Sequence, residues 1–290
     1  LRGDRGSNDP FDFPSERVSM KIGFIGGGNM AAALVGGLLG RGTPAASVRI
    51  VEPMAAQRDA LRARFGVETF HAAGEAALDG VDLAVIAVKP QQMREAVAPL
   101  GPLLRNALVV SVAAGIRASD LSRWLGGHRR IVRAMPNTPA LIGMGVTGLA
   151  ALPGTSEADR QTAERVLAAV GPTVWVNDES LLDAVTAVSG SGPAYVFLFI
   201  EALQDAALGL GLDARQAREL ALYTFAGAAQ LALRSEEAPA TLRERVTSKG
   251  GTTAAALAVM EAGGLRPLVA QAVQAACRRS VEMGEEFGRG

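Results

Sequence analysis

Hydrophobic and polar positions change rhythm once along the chain, near residue 177. Before it, short apolar runs bounded by turn residues fall at 22–25, 48–51, 83–88, 108–112, 130–133 and 172–176, and each predicts a β-strand. The run at 83–88 is apolar throughout, which suits a central parallel strand covered on both faces. Helical patterns lie between the strands, among them 31–39 and 162–170. Alternation of this kind implies a parallel sheet with helices packed on it. Past residue 177 the strand signals stop, and Ala/Leu-rich stripes predict long helices over 193–208, 214–233 and 265–286. Such faces allow close packing within a bundle or against another subunit. The expected fold is therefore α/β: a Rossmann-type doubly wound sheet over 20–176, then an all-α helical domain over 177–290. Residues 1–19, rich in Gly, Asp, Pro, Ser and Arg, read as a disordered extension or tag ahead of a start at Met20.

The first strand runs straight into Gly26-Gly27-Gly28-Asn29-Met30-Ala31. This fits G-x-G-x-x-A in its proper context of strand, tight turn and helix. Gly26 would make the turn, Gly28 would admit a pyrophosphate, and Ala31 would let helix and strand approach; the alternative is that these glycines serve packing alone. Glu52 ends the second strand, about 20 residues past the glycines, where an acidic side chain accepts from a ribose hydroxyl and disfavours a 2′-phosphate. Arg49 and Arg58 are close enough in sequence to reach such a phosphate. Val88, Lys89 and Pro90 follow the apolar strand, at the carboxyl edge where open α/β sheets bind ligands. Two prolines bracket Asn137-Thr138, so that this loop either presents polar groups or is a rigid turn.

Two later segments read as donor-rich helix starts. Ser189-Gly190-Ser191-Gly192 precedes Pro193, and Thr247-Ser248-Lys249-Gly250-Gly251-Thr252-Thr253 precedes an apolar helix. The first N–H groups of a helix have no internal partner and its dipole is positive there, so a carboxylate can dock beside a threonine hydroxyl. Ordinary Ser/Thr capping is the competing explanation for both.

Composition narrows the classes. A formal net charge of +0 and 4% aromatic residues give no electrostatic or stacking case for nucleic acid or an anionic membrane. One cysteine, Cys277, and two histidines, His71 and His128, argue against an intrachain disulfide, a metal centre or a serine triad. No run is long and apolar enough, without interruption, to predict a spanning helix, so a cytoplasmic location is expected.

Together these motifs resemble the pyrroline-5-carboxylate reductases. The resemblance rests on Gly23-Phe24-Ile25-Gly26-Gly27-Gly28-Asn29-Met30, Val88-Lys89-Pro90, Ala134-Met135-Pro136-Asn137-Thr138-Pro139, Ser189-Gly190-Ser191-Gly192-Pro193-Ala194-Tyr195 and Val246-Thr247-Ser248-Lys249-Gly250-Gly251-Thr252-Thr253. It implies reduction of 1-pyrroline-5-carboxylate to L-proline with NADPH or NADH. Gly26, Gly27, Gly28, Asn29, Met30, Glu52, Val88, Lys89, Pro90 and Asn137 would then form the cofactor set. Ser248, Gly251, Thr252 and Thr253 would hold the substrate carboxylate and ring nitrogen, with the Thr253 hydroxyl facing the nitrogen and Glu236 in the pocket. The resemblance also implies homodimers built from the helical domains, assembled into rings such as decamers. Glu52-Pro53-Met54 departs from the family's Ser/Asn/Arg-type cluster for a 2′-phosphate. Two other classes fit the glycine motif alone. A hydroxyacid dehydrogenase would carry a lysine in the first long helix of its second domain, and 193–208 has none. A non-catalytic dinucleotide sensor would not need the turn at 247–253.

Overall fold

The computed structural model describes residues 20–288. Eight strands, β1 (Ile22–Ile25), β2 (Val48–Val51), β3 (Glu68–Phe70), β4 (Leu83–Ile86), β5 (Leu108–Ser111), β6 (Ile131–Met135), β7 (Thr147–Ala151) and β8 (Thr173–Trp175), form one sheet in the order β3-β2-β1-β4-β5-β6-β7-β8. The first six follow the dinucleotide-binding order. They pair in parallel, with Ile25 opposite both Val51 and Ile86. β7 lies antiparallel to β6, so the sheet is mixed rather than wholly parallel as expected from alternation. The helices that follow the early strands are α1 (Asn29–Gly40), α2 (Ala55–Phe65), α3 (Glu75–Leu78), α4 (Met93–Val97), α5 (Ala118–Trp124) and α6 (Glu157–Leu167).

Each face of the sheet carries its own apolar core. Phe24, Ile50, Val85 and Val110 point to one side, against Leu34 and Val35 of α1 and Val166 of α6. Ile25, Ala84, Ile86 and Val109 point to the other, against Met93 and Val97 of α4 and Leu121 of α5. Two-sided burial explains why β4 is apolar without alternation. Local signals set the helix ends. Gly66, at φ +67, closes α2 in the left-handed conformation. Ser156 and Asp159 form a reciprocal capping box that opens α6.

The later helices are α7 (Leu181–Val185), α8 (Gly192–Gly209), α9 (Ala214–Arg234), α10 (Pro239–Arg245), α11 (Thr252–Ala262) and α12 (Leu265–Gly288). The chain divides into two compact units, one of residues 20–190 with 277–288 and one of residues 191–276. This division falls later than residue 176, and the last helix contributes to both units. The reason is burial: Leu182 and Asp183 of α7 are buried, and Asp183 accepts a hydrogen bond from Ser280 Oγ of α12 at 2.6 Å. Ser280 and Gly284 are buried as well.

A π turn at Thr186–Gly190 follows α7, and only the bend at Ser191 separates it from α8, so that Leu181–Gly209 forms one long, nearly continuous helical stretch. As expected, α8 starts at Gly192 with Pro193 in its first turn and Ser191 as an N-cap that makes no side-chain cap bond, while Ser189 Oγ bonds back to the Val185 carbonyl at 3.0 Å. By length and composition this run passes for a membrane-crossing helix, contrary to the expectation from sequence. Reading Ser189 to Pro193 as an interruption hid it.

In the second unit α8 packs along α9, with the Phe199 and Phe225 rings 6.4 Å apart. Asp213 and Gln216 box the start of α9. Among the described residues of this unit only Ala217 and Ala221 are buried apolar side chains, while Phe197, Leu198, Leu220, Tyr223, Leu231 and Leu233 are more than half exposed.

Candidate functional site

The glycine turn leaves β1 and is closely packed at its first two positions, the first of which only glycine fits. Gly26 has φ +97, and a β-carbon there would stand 2.6 Å from the Ala87 carbonyl oxygen and 3.1 Å from Val88 Cγ1. A β-carbon on Gly27 would meet Leu61 at 2.7 Å and Glu52 at 3.1 Å. Gly26 N–H donates to the Val51 carbonyl at 2.8 Å, which fastens the turn to β2. Gly28 differs from both: nothing lies within 4 Å of the place a β-carbon would take. It is the N-cap of α1 and supplies no side-chain cap, so the first N–H groups of that helix are left for an outside anion. Asn29 is exposed and Met30 half-buried on the first turn, while Ala31 is fully buried against the sheet. The residues thus fit a dinucleotide pyrophosphate, and packing alone does not account for the open space at Gly28.

The structure brings Glu52, Val88 and the glycines together. Val88 and Pro90 are half-buried and Lys89 exposed at the carboxyl end of β4. Glu52 is 9% exposed, and both carboxylate oxygens already accept backbone N–H groups: Oε2 from Gly27 at 3.0 Å and Oε1 from Met54 at 2.8 Å. The sequence expectation assigned this carboxylate to a ribose hydroxyl. Arg58 Nη1 donates to the Glu52 and Pro53 carbonyls, each at 2.8 Å, and so stays at the end of β2. Arg49 does not reach this end. It bonds the Asp79 carbonyl at 3.2 Å and pairs with Glu68 at 3.5 Å. Sequence reading missed Gln57, whose Nε2 donates to the Gly27 carbonyl at 2.7 Å. A Gln on the first turn of the helix after the acidic residue was the available signal.

Asn137 is buried, not presented to a ligand as its proline-bracketed loop suggested. Its Oδ1 accepts from Val146 N–H at 2.9 Å and its Nδ2 donates to the Ser189 carbonyl at 3.1 Å. It ties the loop after β6 to the π turn.

The turn before α11 lies in the other unit. Thr247 Oγ1 donates to the Arg243 carbonyl at 2.6 Å, which closes α10. Gly250 has φ +74, a conformation glycine adopts without strain. A β-carbon on Gly251 would lie 2.5 Å from Ser248 Oγ. Gly251 is the N-cap of α11, and no side chain caps the helix, so the commoner explanation of a Ser/Thr cap is not the one realised. Thr252 and Thr253 occupy the first two helical positions, Thr252 exposed and Thr253 half-buried, beside the exposed Ser248. Glu236 is exposed on the connection between α9 and α10.

Comparison with known proteins gives the chain its relatives. Residues 179–283 match the family described as pyrroline-5-carboxylate reductase dimerisation, and residues 21–115 match the family of coenzyme F420-dependent NADP oxidoreductases. A pyrroline-5-carboxylate reductase of Pseudomonas aeruginosa is 48% identical, over 93% of this chain and 98% of the relative. The solved structure of a pyrroline-5-carboxylate reductase from Coxiella burnetii superposes with a TM-score of 0.88 at 40% identity, covering 92% of this chain and 99% of the other. That of the Plasmodium falciparum pyrroline carboxylate reductase with NADP bound has a TM-score of 0.79 at 29% identity, covering 91% and 98%. With both units matched in the order in which the chain carries them, the protein belongs to the pyrroline-5-carboxylate reductase family.

Proposed function

We infer that this protein reduces 1-pyrroline-5-carboxylate to L-proline with NAD(P)H, the last step of proline synthesis. The observation that carries the reading is a pair of helix starts, at Gly28 and at Gly251, where glycine supplies no side-chain cap and the first N–H groups remain for an anion. The first suits a pyrophosphate and the second a carboxylate. Reduced nicotinamide supplies a hydride when bound. The chain's own contribution is to hold the imine. Ser248, Gly251, Thr252 and Thr253 take its carboxylate and ring nitrogen, and Glu236 completes the pocket. The Thr253 hydroxyl is assigned the hydrogen bond to the nitrogen as that atom gains electron density. A threonine is too weak an acid to be the ultimate proton source, so the proton arrives with the substrate or through water. Fixing the imine in this way contributes through orientation, an effect worth ~7–11 kcal/mol at its fullest.

On this reading Gly26, Gly27, Gly28, Asn29, Met30, Glu52, Val88, Lys89 and Pro90 border the cofactor, and Asn137 supports the loop next to it. Residues 20–190 with 277–288 serve the dinucleotide; residues 191–276 serve the imine and a second copy. The exposed apolar faces of α8 and α9 favour a homodimer, with rings such as decamers as a further stage, in the cytoplasm. The test is imine-dependent oxidation of NADPH and of NADH, run side by side, with L-proline identified as product. No oxidation with either cofactor refutes the reading.

A further inference from the structure

We propose that Glu52 is a positioning residue for the glycine turn and not the reader of the adenosine ribose. The proposal rests on the dinucleotide reading above and concerns how this chain shapes that site. The carboxylate is buried, and its two oxygens bind two different backbone groups, Gly27 N–H and Met54 N–H. From the first turn of α2, Gln57 Nε2 donates to the Gly27 carbonyl. Both polar groups of Gly27 are thus held by side chains of the β2–α2 segment, and Leu61 of α2 closes over the same residue. Gly26 N–H is held by Val51. Three anchors therefore fix the turn up to Gly28, the one glycine of the three with open space around it.

The two roles predict opposite signs. A ribose reader repels a 2′-phosphate, so neutralising it should tighten NADPH and weaken NADH. A positioning carboxylate has its negative charge offset by two amide dipoles, and its loss leaves buried N–H groups without acceptors. Removing it loosens the turn for every dinucleotide alike. Glu52→Gln is the discriminating change, because it keeps the shape while leaving one oxygen to serve two N–H groups. Choice between the cofactors then lies with groups that face the adenosine end without anchoring the turn. Arg58 is the cation held nearest, by its two bonds to the Glu52 and Pro53 carbonyls.

The experiment titrates full-length wild type, Glu52→Gln and Gln57→Met with NADH and with NADPH by nicotinamide fluorescence, with no imine present. Amide exchange at Gly27 is followed by NMR in the unliganded proteins, and steady-state rates are measured with both cofactors. Both variants are expected to weaken NADH and NADPH in parallel, by about three- to tenfold, with the ratio of the two dissociation constants changed by less than about twofold. Gly27 exchange is expected to accelerate before any ligand is added. KM for each cofactor should rise while kcat at saturation stays near wild type, which a general folding defect would not produce. Gln57→Met acts on Gly27 from its carbonyl side, so a Glu52 variant that fails to fold leaves the proposal open to refutation. Tighter NADPH binding by Glu52→Gln overturns it, as does unchanged binding of both cofactors with unchanged Gly27 exchange. Wild type that binds neither dinucleotide refutes the cofactor reading itself, and so is distinct from a cofactor-selective effect, which refutes the proposal alone.

Discussion

At Gly251 a single hydrogen separates the backbone from Ser248 Oγ, since a β-carbon would stand 2.5 Å from that oxygen. Gly251→Ala should therefore displace Ser248 and raise KM for the imine severalfold, while the dissociation constant for NADPH, measured without imine, stays at the wild-type value. Thr253→Ala removes a hydroxyl without disturbing the turn. It is expected to lower kcat by the equivalent of about 2–4 kcal/mol, the cost of one hydrogen bond made to developing charge. Wild-type turnover in folded Thr253→Ala would remove this residue from the assignment. At this scale the glycines were legible in the sequence, because motif spacing reports backbone need. The partners of polar side chains were not. Nothing in the one-dimensional pattern shows that Glu52 is met by Gly27 N–H, or that Asn137 spends its amide on Val146 and Ser189.

Between elements, helix α1 lies against the turn at residues 168–170, where Gly37 leaves no room for a β-carbon beside the Ala169 carbonyl. Gly37→Ala should destabilise the protein by about 1–3 kcal/mol, read from urea unfolding, since the obstacle is backbone and cannot rotate away. A second contact joins α6 to the start of β6. Arg130 donates to both carboxylate oxygens of Asp159, at 3.1 and 2.6 Å. These bonds from Arg130 hold the Asp159 carboxyl below the usual carboxylate range. Its folded pKa is thus lower than its unfolded value, so the stabilisation is complete above about pH 4 and lost as pH falls through the folded pKa. Asp159→Asn should cost about 1–2 kcal/mol at neutral pH, the partial exposure of Arg130 reducing the value of a fully buried pair. The gap between wild type and variant should close as pH falls through the folded pKa, below the usual carboxylate range, in the same unfolding assay. The elements themselves were legible where burial is two-sided or the helix long. β7 escaped because Thr147-Gly148-Leu149-Ala150-Ala151 is small-residue sequence, and Gly148 is there to receive Val185 of α7. β3 is three residues on a sheet edge, too short for a period to show.

For the whole molecule, the second unit exposes Phe197, Leu198, Leu220, Tyr223, Leu231 and Leu233, an apolar load of the kind that marks protein–protein contact surfaces. Light scattering at micromolar concentration is expected to show at least two copies, and Phe197→Glu to shift the population toward monomer with loss of activity. A stable, fully active wild-type monomer would refute this. The change of rhythm near residue 177 announced a helical half, but not that the chain leaves the sheet body after residue 190 and returns to it at 277. In terms of chain path the helical unit is an insertion. The dinucleotide body is consequently discontinuous, and no single excision can recover it. A fragment of residues 20–190 would lack the Ser280 hydroxyl that Asp183 accepts, and the Met283 and Phe287 side chains that lie against Gly115. Such a fragment should be poorly soluble, whereas joining residue 190 through a short flexible linker to a segment matching 277–288 should restore a folded, cofactor-binding miniature.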